Sequence, residues 1–327
     1  MIVQNNARVM NNNLNTTAFT EKATITHPHL GEGSVNVIKV GGAVVEDSAS
    51  LSSLLSKFTE LKGKKVLVHG GGRSATKVAA SLGIESNMVG GRRITDEEML
   101  RVVTMVYGGL VNKNIVANLQ ARGVNAIGLT GADMNIIRSH KRPLKKVTLA
   151  AGETNPATGE VLTEATTMDI DYGWVGDVDK VDGECLARLI NNGTSGTQAD
   201  SDADGSDAGC VPVVAPLSHD GEGHMLNTNA DTIAGSVAVG LASLFDVTLT
   251  YCFEKPGVLT DPDDDSSVVH SITPPVYERL KAEGVVSGGM IPKLDNAFEA
   301  LRGGVRRVVI TSASDLEGTN GTTITLE

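Results

Sequence analysis

Three consecutive glycines, Gly70, Gly71 and Gly72, join a short aliphatic run at Val66–Val68 to a helical pattern at Ser74–Leu82. A turn between a strand and a helix needs only one glycine. Three in a row point to a backbone that something must approach closely, because glycine presents no Cβ. A helix that starts at such a turn offers free N–H groups and the positive end of its dipole, so an anion is the expected ligand. The alternative is a plain tight turn. The segment VLVHGGGRSATK lacks the Gly-Lys-[Ser/Thr] ending of a Walker A loop, and it lacks GxGxxG spacing.

The same order of strand, turn and helix recurs along the chain. Val35–Val40, Ala126–Leu129, Val211–Val214, Val247–Phe253 and Val305–Thr311 read as strands. Leu51–Leu61, Thr95–Gln120, Asp231–Leu244 and Ile291–Leu301 read as helices, with Gly108-Gly109 marking a break or a close contact in the second. This alternation predicts an α/β fold with a largely parallel sheet and helices on both faces. Strands buried on both sides should then be continuous aliphatic runs. Aromatic residues make up only 3% of the chain, so the core must be aliphatic. A length of 327 residues suits one large domain or two lobes.

Two segments break the pattern. Thr148–Ile170 and Asn192–Gly209 are polar and lack a clear period, and they read as mobile surface insertions. They also hold much of the acidity behind the net charge of −11: Glu153, Glu160, Glu164 and Asp169 in one, Asp200, Asp202, Asp204 and Asp207 in the other. An acidic chain argues against a nucleic-acid partner. No run of about 20 apolar residues exists to cross a membrane. Residues 1–30 are rich in Asn and Thr, lack a signal-peptide core and read as a flexible tail. Cys185, Cys210 and Cys252 share no metal spacing and read as reduced thiols, which predicts a cytoplasmic protein.

Several residues could carry chemistry. Lys39 lies inside the aliphatic run VIKV, two residues before Gly41-Gly42. It reads equally as a phosphate contact and as an edge lysine facing water. Lys293 follows Gly288-Gly289 and Pro292 in the first turn of a helix, where a cation opposes the dipole unless an anion is bound. In MLNTNAD, Asn227, Asn229 and Asp231 precede a helix, and the default reading of Asp231 is an N-cap. Arg93 precedes an apparent capping box, Thr95 to Glu98, and could clamp a carboxylate or simply face solvent. His219–His224 reads as a hairpin with an Asp-Gly turn. Asp200–Ser206 begins like a calcium loop, but Val211 stands where a bidentate Glu is required.

Taken in order, VIKVGG, VLVHGGG, GRRITD, MLNTNAD, PGVL and GGMIPKL resemble the amino acid kinase family over nearly all of the chain from Val35 onward. The resemblance implies an open, mainly parallel eight-stranded sheet in a three-layer αβα sandwich. It implies a lobe at 31–242, carrying the insertions 148–170 and 192–209, that binds an acyl amino acid. A second lobe at 243–327 would bind ATP. Lys39 and Lys293 would stabilise the transferring phosphoryl group, with Asp231 orienting them. Gly71, Gly72, Arg93 and Asn227 would bind the substrate, Arg93 by its α-carboxylate. Lys39, Gly41, Gly42, Gly257 and Lys293 would bind the nucleotide. The implied reaction is phosphorylation of the γ-carboxylate of N-acetyl-L-glutamate, or of a close analogue such as N-succinylglutamate, in arginine biosynthesis.

The implied assembly is a homodimer. Mg²⁺ would be held mainly by the nucleotide phosphates, with no metal-ligand set of its own. The stretch Phe253-Glu254-Lys255-Pro256-Gly257-Val258 departs from the family's Asp-Val-Pro-Gly-Val pattern, which puts the adenine-side contacts in question. Two other readings stand beside this one: a sibling kinase for another carboxylate or for carbamate, and a non-catalytic sensor. Retention of Lys39, Lys293 and Asp231 together weighs against a sensor, which has no phosphoryl group to stabilise.

Overall fold

The structure, a computed structural model, describes residues 33–156, 158–191 and 209–327. The tail at 1–30, the segment 192–208 and the calcium-like run inside it lie outside the described residues.

Eight strands form the central sheet: β1 Ser34–Val40, β2 Lys64–His69, β3 Ala126–Leu129, β4 Val211–Val214, β5 Asp246–Phe253, β6 Ser271–Ile272, β7 Arg307–Ser312 and β8 Thr322–Ile324. Their spatial order is β6-β8-β7-β5-β1-β2-β4-β3. Every neighbouring pair is parallel except β7 with β8. The expected sheet is therefore present, although the last long strand begins at Arg307 instead of Val305.

The helices are α1 Gly42–Glu46, α2 Ser48–Glu60, α3 Gly72–Ser81, α4 Glu97–Val103, α5 Asn112–Gln120, α6 Gly183–Asn191, α7 Ala230–Ala242, α8 Pro274–Ala282 and α9 Met290–Arg302. Strand alternation divides the core between the two sheet faces. Val35 and Val37 of β1, Val66 and Val68 of β2, and Val247 and Leu249 of β5 pack with residues of α6 to α9. Ile38, Val40, Leu67 and Cys252 point the other way and pack with residues of α1 to α5. Each fully buried Leu or Phe in these layers, such as Leu54, Leu55 and Phe58 of α2, contributes roughly 1.5–3 kcal/mol.

Of the two readings of Gly108-Gly109, a break or a close contact, the second holds: the stretch Thr104–Val111 between α4 and α5 continues as a π-helix, and a Cβ on Gly108 would lie 3.4 Å from both Leu217 and Thr130. Two expectations need correction. The capping box is not formed. Asp96 caps α4 by accepting from the Met99 N–H at 2.8 Å, while the Thr95 hydroxyl turns to the Arg93 carbonyl. Thr148–Ile170 is not an irregular insertion. Lys145–Leu149 and Thr166–Ile170 pair as an antiparallel hairpin. Leu149 and Ile170 pack with Val89, Tyr172 and Val175 in a small core of their own.

Open α/β sheets bind ligands beyond the carboxyl ends of their strands, where neighbouring connections diverge to opposite sides. Here β1 lies between β2 and β5; α1 and α2 lead from β1 to β2 over one sheet face, and α7 leads into β5 over the other. The glycine turns follow β1 and β2 at this edge. The hairpin Leu217–His219/Met225–Asn227 and the hairpin Met88–Val89/Arg92–Arg93 overhang it.

Candidate active site

Lys39 occupies the same face of β1 as Val35 and Val37, the face that α7 covers. It is only 6% exposed, and its Nζ lies 2.8 Å from Oδ1 of Asp231. Asp231 is free to make this pair because it does not cap α7. Asn229 is the cap, and its side-chain oxygen accepts from the N–H groups of Asp231 (2.9 Å) and Thr232 (3.2 Å). The default reading of Asp231 as an N-cap is thereby corrected. The Tyr251 hydroxyl donates to the Asp231 carbonyl at 3.3 Å and steadies the same turn.

Lys293, on the first turns of α9, lines the same cavity. Its Nζ stands 3.9 Å from the centroid of the Phe253 ring, and Lys39 Nζ stands 5.1 Å from that same centroid. Both ammonium groups thus lie within cation–π reach of one aromatic ring. Burial pulls the Lys293 ammonium below the ordinary lysine range; Asp231 opposes this and Lys39 adds to it.

The two glycine turns meet backbone to backbone. Gly41 donates to the Cys252 carbonyl at 3.3 Å, and Gly70 donates to the Val40 carbonyl at 2.9 Å. A Cβ on Gly70 would lie 2.9 Å from the Gly42 nitrogen, and one on Gly71 would lie 2.9 Å from Cδ1 of Tyr107. These contacts account for Gly70 and Gly71. At the start of α3, the N–H groups of the first turn have no carbonyl one turn earlier to donate to. The turn is braced from beneath by His69, which is fully buried. Its Nδ1 lies 2.7 Å from the Gly70 carbonyl and its Nε2 lies 3.1 Å from Nδ2 of Asn112. Burial pushes the His69 imidazole down to about 4, so it is neutral at pH 7.

Arg93 is 8% exposed. Its Nη2 donates to the Gly72 carbonyl and to Thr76 Oγ1, both at 2.9 Å, and its Nη1 donates to the Ser86 hydroxyl. Three of its five N–H groups are thus held by the protein, and they tie the overhanging hairpin to α3. Asn227 donates from Nδ2 to Thr95 Oγ1 at 2.9 Å. Gly257 fits beneath Thr322 and Val268, with no room for a side chain.

All ten residues singled out from the sequence line one cavity of about 550 Å³: Lys39, Gly41, Gly42, Gly71, Gly72, Arg93, Asn227, Asp231, Gly257 and Lys293. Among the lining residues only Asp231 and Glu254 carry carboxylates, and Asp231 is paired with Lys39. Two carboxylates, one of them engaged by Lys39, are fewer than an all-protein magnesium site uses. Elsewhere among the described residues, Asp220, Glu222 and His224 come close together. Asp220 there accepts from the N–H groups of Glu222 and His224 and closes the expected hairpin.

A model of the amino acid kinase family matches residues 34–312. The chain belongs to the amino acid kinase family. Within the family it is 58% identical over 290 residues to the acetylglutamate kinase of Bacteroides thetaiotaomicron, covering 89% of this chain and 98% of that one. The acetylglutamate kinase of Cytophaga hutchinsonii is 50% identical over 280 residues, covering 86% and 92%. A crystal structure from Streptococcus mutans superposes with a TM-score of 0.64 at 26% identity, covering 90% of this chain and 99% of that one.

Arg92, Tyr107, Asn229 and Phe253 also line the cavity, and sequence reasoning misses their part in it. Asn229 left a signal, since Asn is a strong N-cap and lies two residues before Asp231. Tyr107 left none, because its approach to Gly71 depends on the π-helical winding.

Proposed function

We propose that this chain transfers the γ-phosphoryl group of ATP to the side-chain carboxylate of an N-acyl-L-glutamate. The acceptor would be N-acetyl-L-glutamate or a close analogue such as N-succinyl-L-glutamate, and the product an acyl phosphate for arginine biosynthesis. The observation that carries the reading is the Lys39–Asp231 pair gathered with Lys293 about Phe253 in one cavity, at the edge where two glycine turns end.

A γ-carboxylate has an ordinary pKa near 4.3 and is already ionised at pH 7, so the reaction needs no general base. The buried, neutral His69 is not required to act as one. The difficulty is repulsion, because a carboxylate must approach an anionic triphosphate. Lys39 and Lys293 would bring positive charge to the path, and the N–H groups of the glycine turns would add oriented dipoles. Asp231 holds Lys39 in position. Mg²⁺ bound to the phosphates would supply further charge neutralisation. Gly41, Gly42 and Gly257 would face the nucleotide, and Gly71, Gly72, Arg93 and Asn227 the acyl amino acid. Division into an acyl-amino-acid lobe and a nucleotide lobe at about residue 242, a homodimeric assembly and a cytoplasmic site belong to the same proposal.

The direct test is ADP release with N-acetyl- or N-succinyl-L-glutamate and MgATP, with the acyl phosphate trapped by hydroxylamine. Absence of turnover with both compounds would sink the proposal.

The Lys293 environment adds a pH prediction. The protonated form is the one that stabilises the phosphoryl group. Raising the pH through its lowered pKa removes that charge, so kcat/KM should decline on the alkaline side below the ordinary lysine value of 10.5. Arginine stays protonated, so the activity that Lys293→Arg retains should lack this decline. An identical alkaline limb in both enzymes assigns it to another group.

A further inference from the structure

We infer that the acyl group of the substrate ends in a carboxylate of its own, and that Arg92 receives it. This rests on the reading of the site as an N-acylglutamate kinase and narrows its substrate.

Arg92 and Arg93 are successive residues of one short strand, so their side chains leave in opposite directions. Arg93 turns under the hairpin and is held by Gly72, Thr76 and Ser86. Arg92 lines the cavity and is partly buried. Its guanidinium makes no hydrogen bond or ion pair with any described residue. Asp177 and Asp231 act on it only at longer range.

A second cation deepens the imbalance. Arg142 lies against the Tyr172 ring and is 10% exposed. It grips Asp177 through Nε, at 3.1 Å to each oxygen, and through Nη2. Its Nη1 is buried and has no partner among the described residues. Arg142 thus holds Asp177 for itself, and Arg92, close enough to feel both, is left at the cavity without a carboxylate partner of its own. Such an excess is costly unless a ligand brings the missing negative charge.

An N-acetylglutamate has two carboxylates. The γ-carboxylate belongs at the lysines and glycine turns, and the α-carboxylate at Arg93 and Asn227. The acetyl methyl group has nothing to offer a guanidinium. A short dicarboxylic acyl group such as succinyl adds one methylene and one carboxylate, the group that Arg92 lacks. Planar bidentate pairing with a carboxylate is what an unengaged arginine is suited to.

The test is steady-state kinetics with N-acetyl- and N-succinyl-L-glutamate at saturating MgATP, using wild type, Arg92→Leu and Arg92→Lys. In wild type, kcat/KM should favour the succinyl compound by about 100-fold, short of the limit for fully buried pairing because Arg92 is partly exposed. In Arg92→Leu that ratio should collapse towards one, mainly through KM for the succinyl compound, and Arg92→Lys should restore part of it. A wild-type ratio at or below one overturns the inference while leaving the kinase reading intact. So does an equal loss on both substrates in Arg92→Leu, which would place Arg92 on the α-carboxylate. Failure of both compounds to accept phosphate overturns both readings together.

Discussion

Replacing Lys39 with Met lowers kcat by about 10³-fold, measured as ADP release at saturating substrates. Methionine keeps the stem's volume and removes the ammonium. The loss is therefore that of one preorganised charge aimed at the phosphoryl group, for which single donors in comparable sites are worth about 10²–10³-fold. Asp231 is left behind with 17% of its side chain exposed and its ion-pair partner gone. Stripping one partner from a buried pair costs about 3–5 kcal/mol, and the partial exposure of Asp231 reduces this to about 2 kcal/mol of folding stability. Neutralising both partners in Lys39→Met/Asp231→Asn should recover most of that stability and none of the activity. Thermal unfolding and turnover measured on the same samples separate the two effects. A loss of kcat below tenfold in the single variant would reduce Lys39 to a structural residue.

Gly70→Ala should damage both folding and turnover through one atom. The new Cβ would sit 2.9 Å from the Gly42 nitrogen and 3.3 Å from its Cα. Both neighbours are backbone, so no side chain can swing aside. Overpacking of this kind costs roughly 1–3 kcal/mol. Any relief must push the two glycine turns apart, and a displacement of about 1 Å at a reacting site costs on the order of 10²-fold in rate. Gly109→Ala is the internal control. It lies in the π-helical segment, where a Cβ would meet nothing within 4 Å, so stability should stay level or rise. If Gly70→Ala unfolds like wild type, the close approach of the turns does not constrain the site.

The parts of this molecule that were readable from the sequence are those where a local pattern decides the outcome. Val35–Val40 and Val66–Val68 are aliphatic because both faces of a parallel sheet are covered, and their periods needed no tertiary information. The lysines at 39 and 293 stood out because each broke a local rule, an ammonium in an apolar strand and a cation at a helix start. The misses arose where two local readings competed. Asp231 and Asn229 can both cap α7; the buried ammonium of Lys39 settles the choice, and it comes from a strand almost 200 residues earlier. The hairpin at 145–149 and 166–170 has alternating apolar positions at Val147, Leu149, Met168 and Ile170. Each strand is only five residues long, and a polar, turn-rich connection masks the period. Arg92 was beyond reach from sequence, because its meaning lies in the partner it lacks.

The seating of Gly70 on Gly42 has a consequence for redesign. The rims of β1 and β2 behave as one solid piece, since neither turn can be reshaped without moving the other. Attempts to retarget the catalyst by altering these turns would disturb the anchoring of both reactants at once. The overhanging hairpin that carries Arg92 and Arg93 is different. Arg93 bonds to Gly72 and Thr76 of the rim, but Arg92 makes no such bond, so position 92 can be exchanged while the rim stays in place. In this molecule the acceptor is open to engineering, and the handling of the phosphoryl group is not.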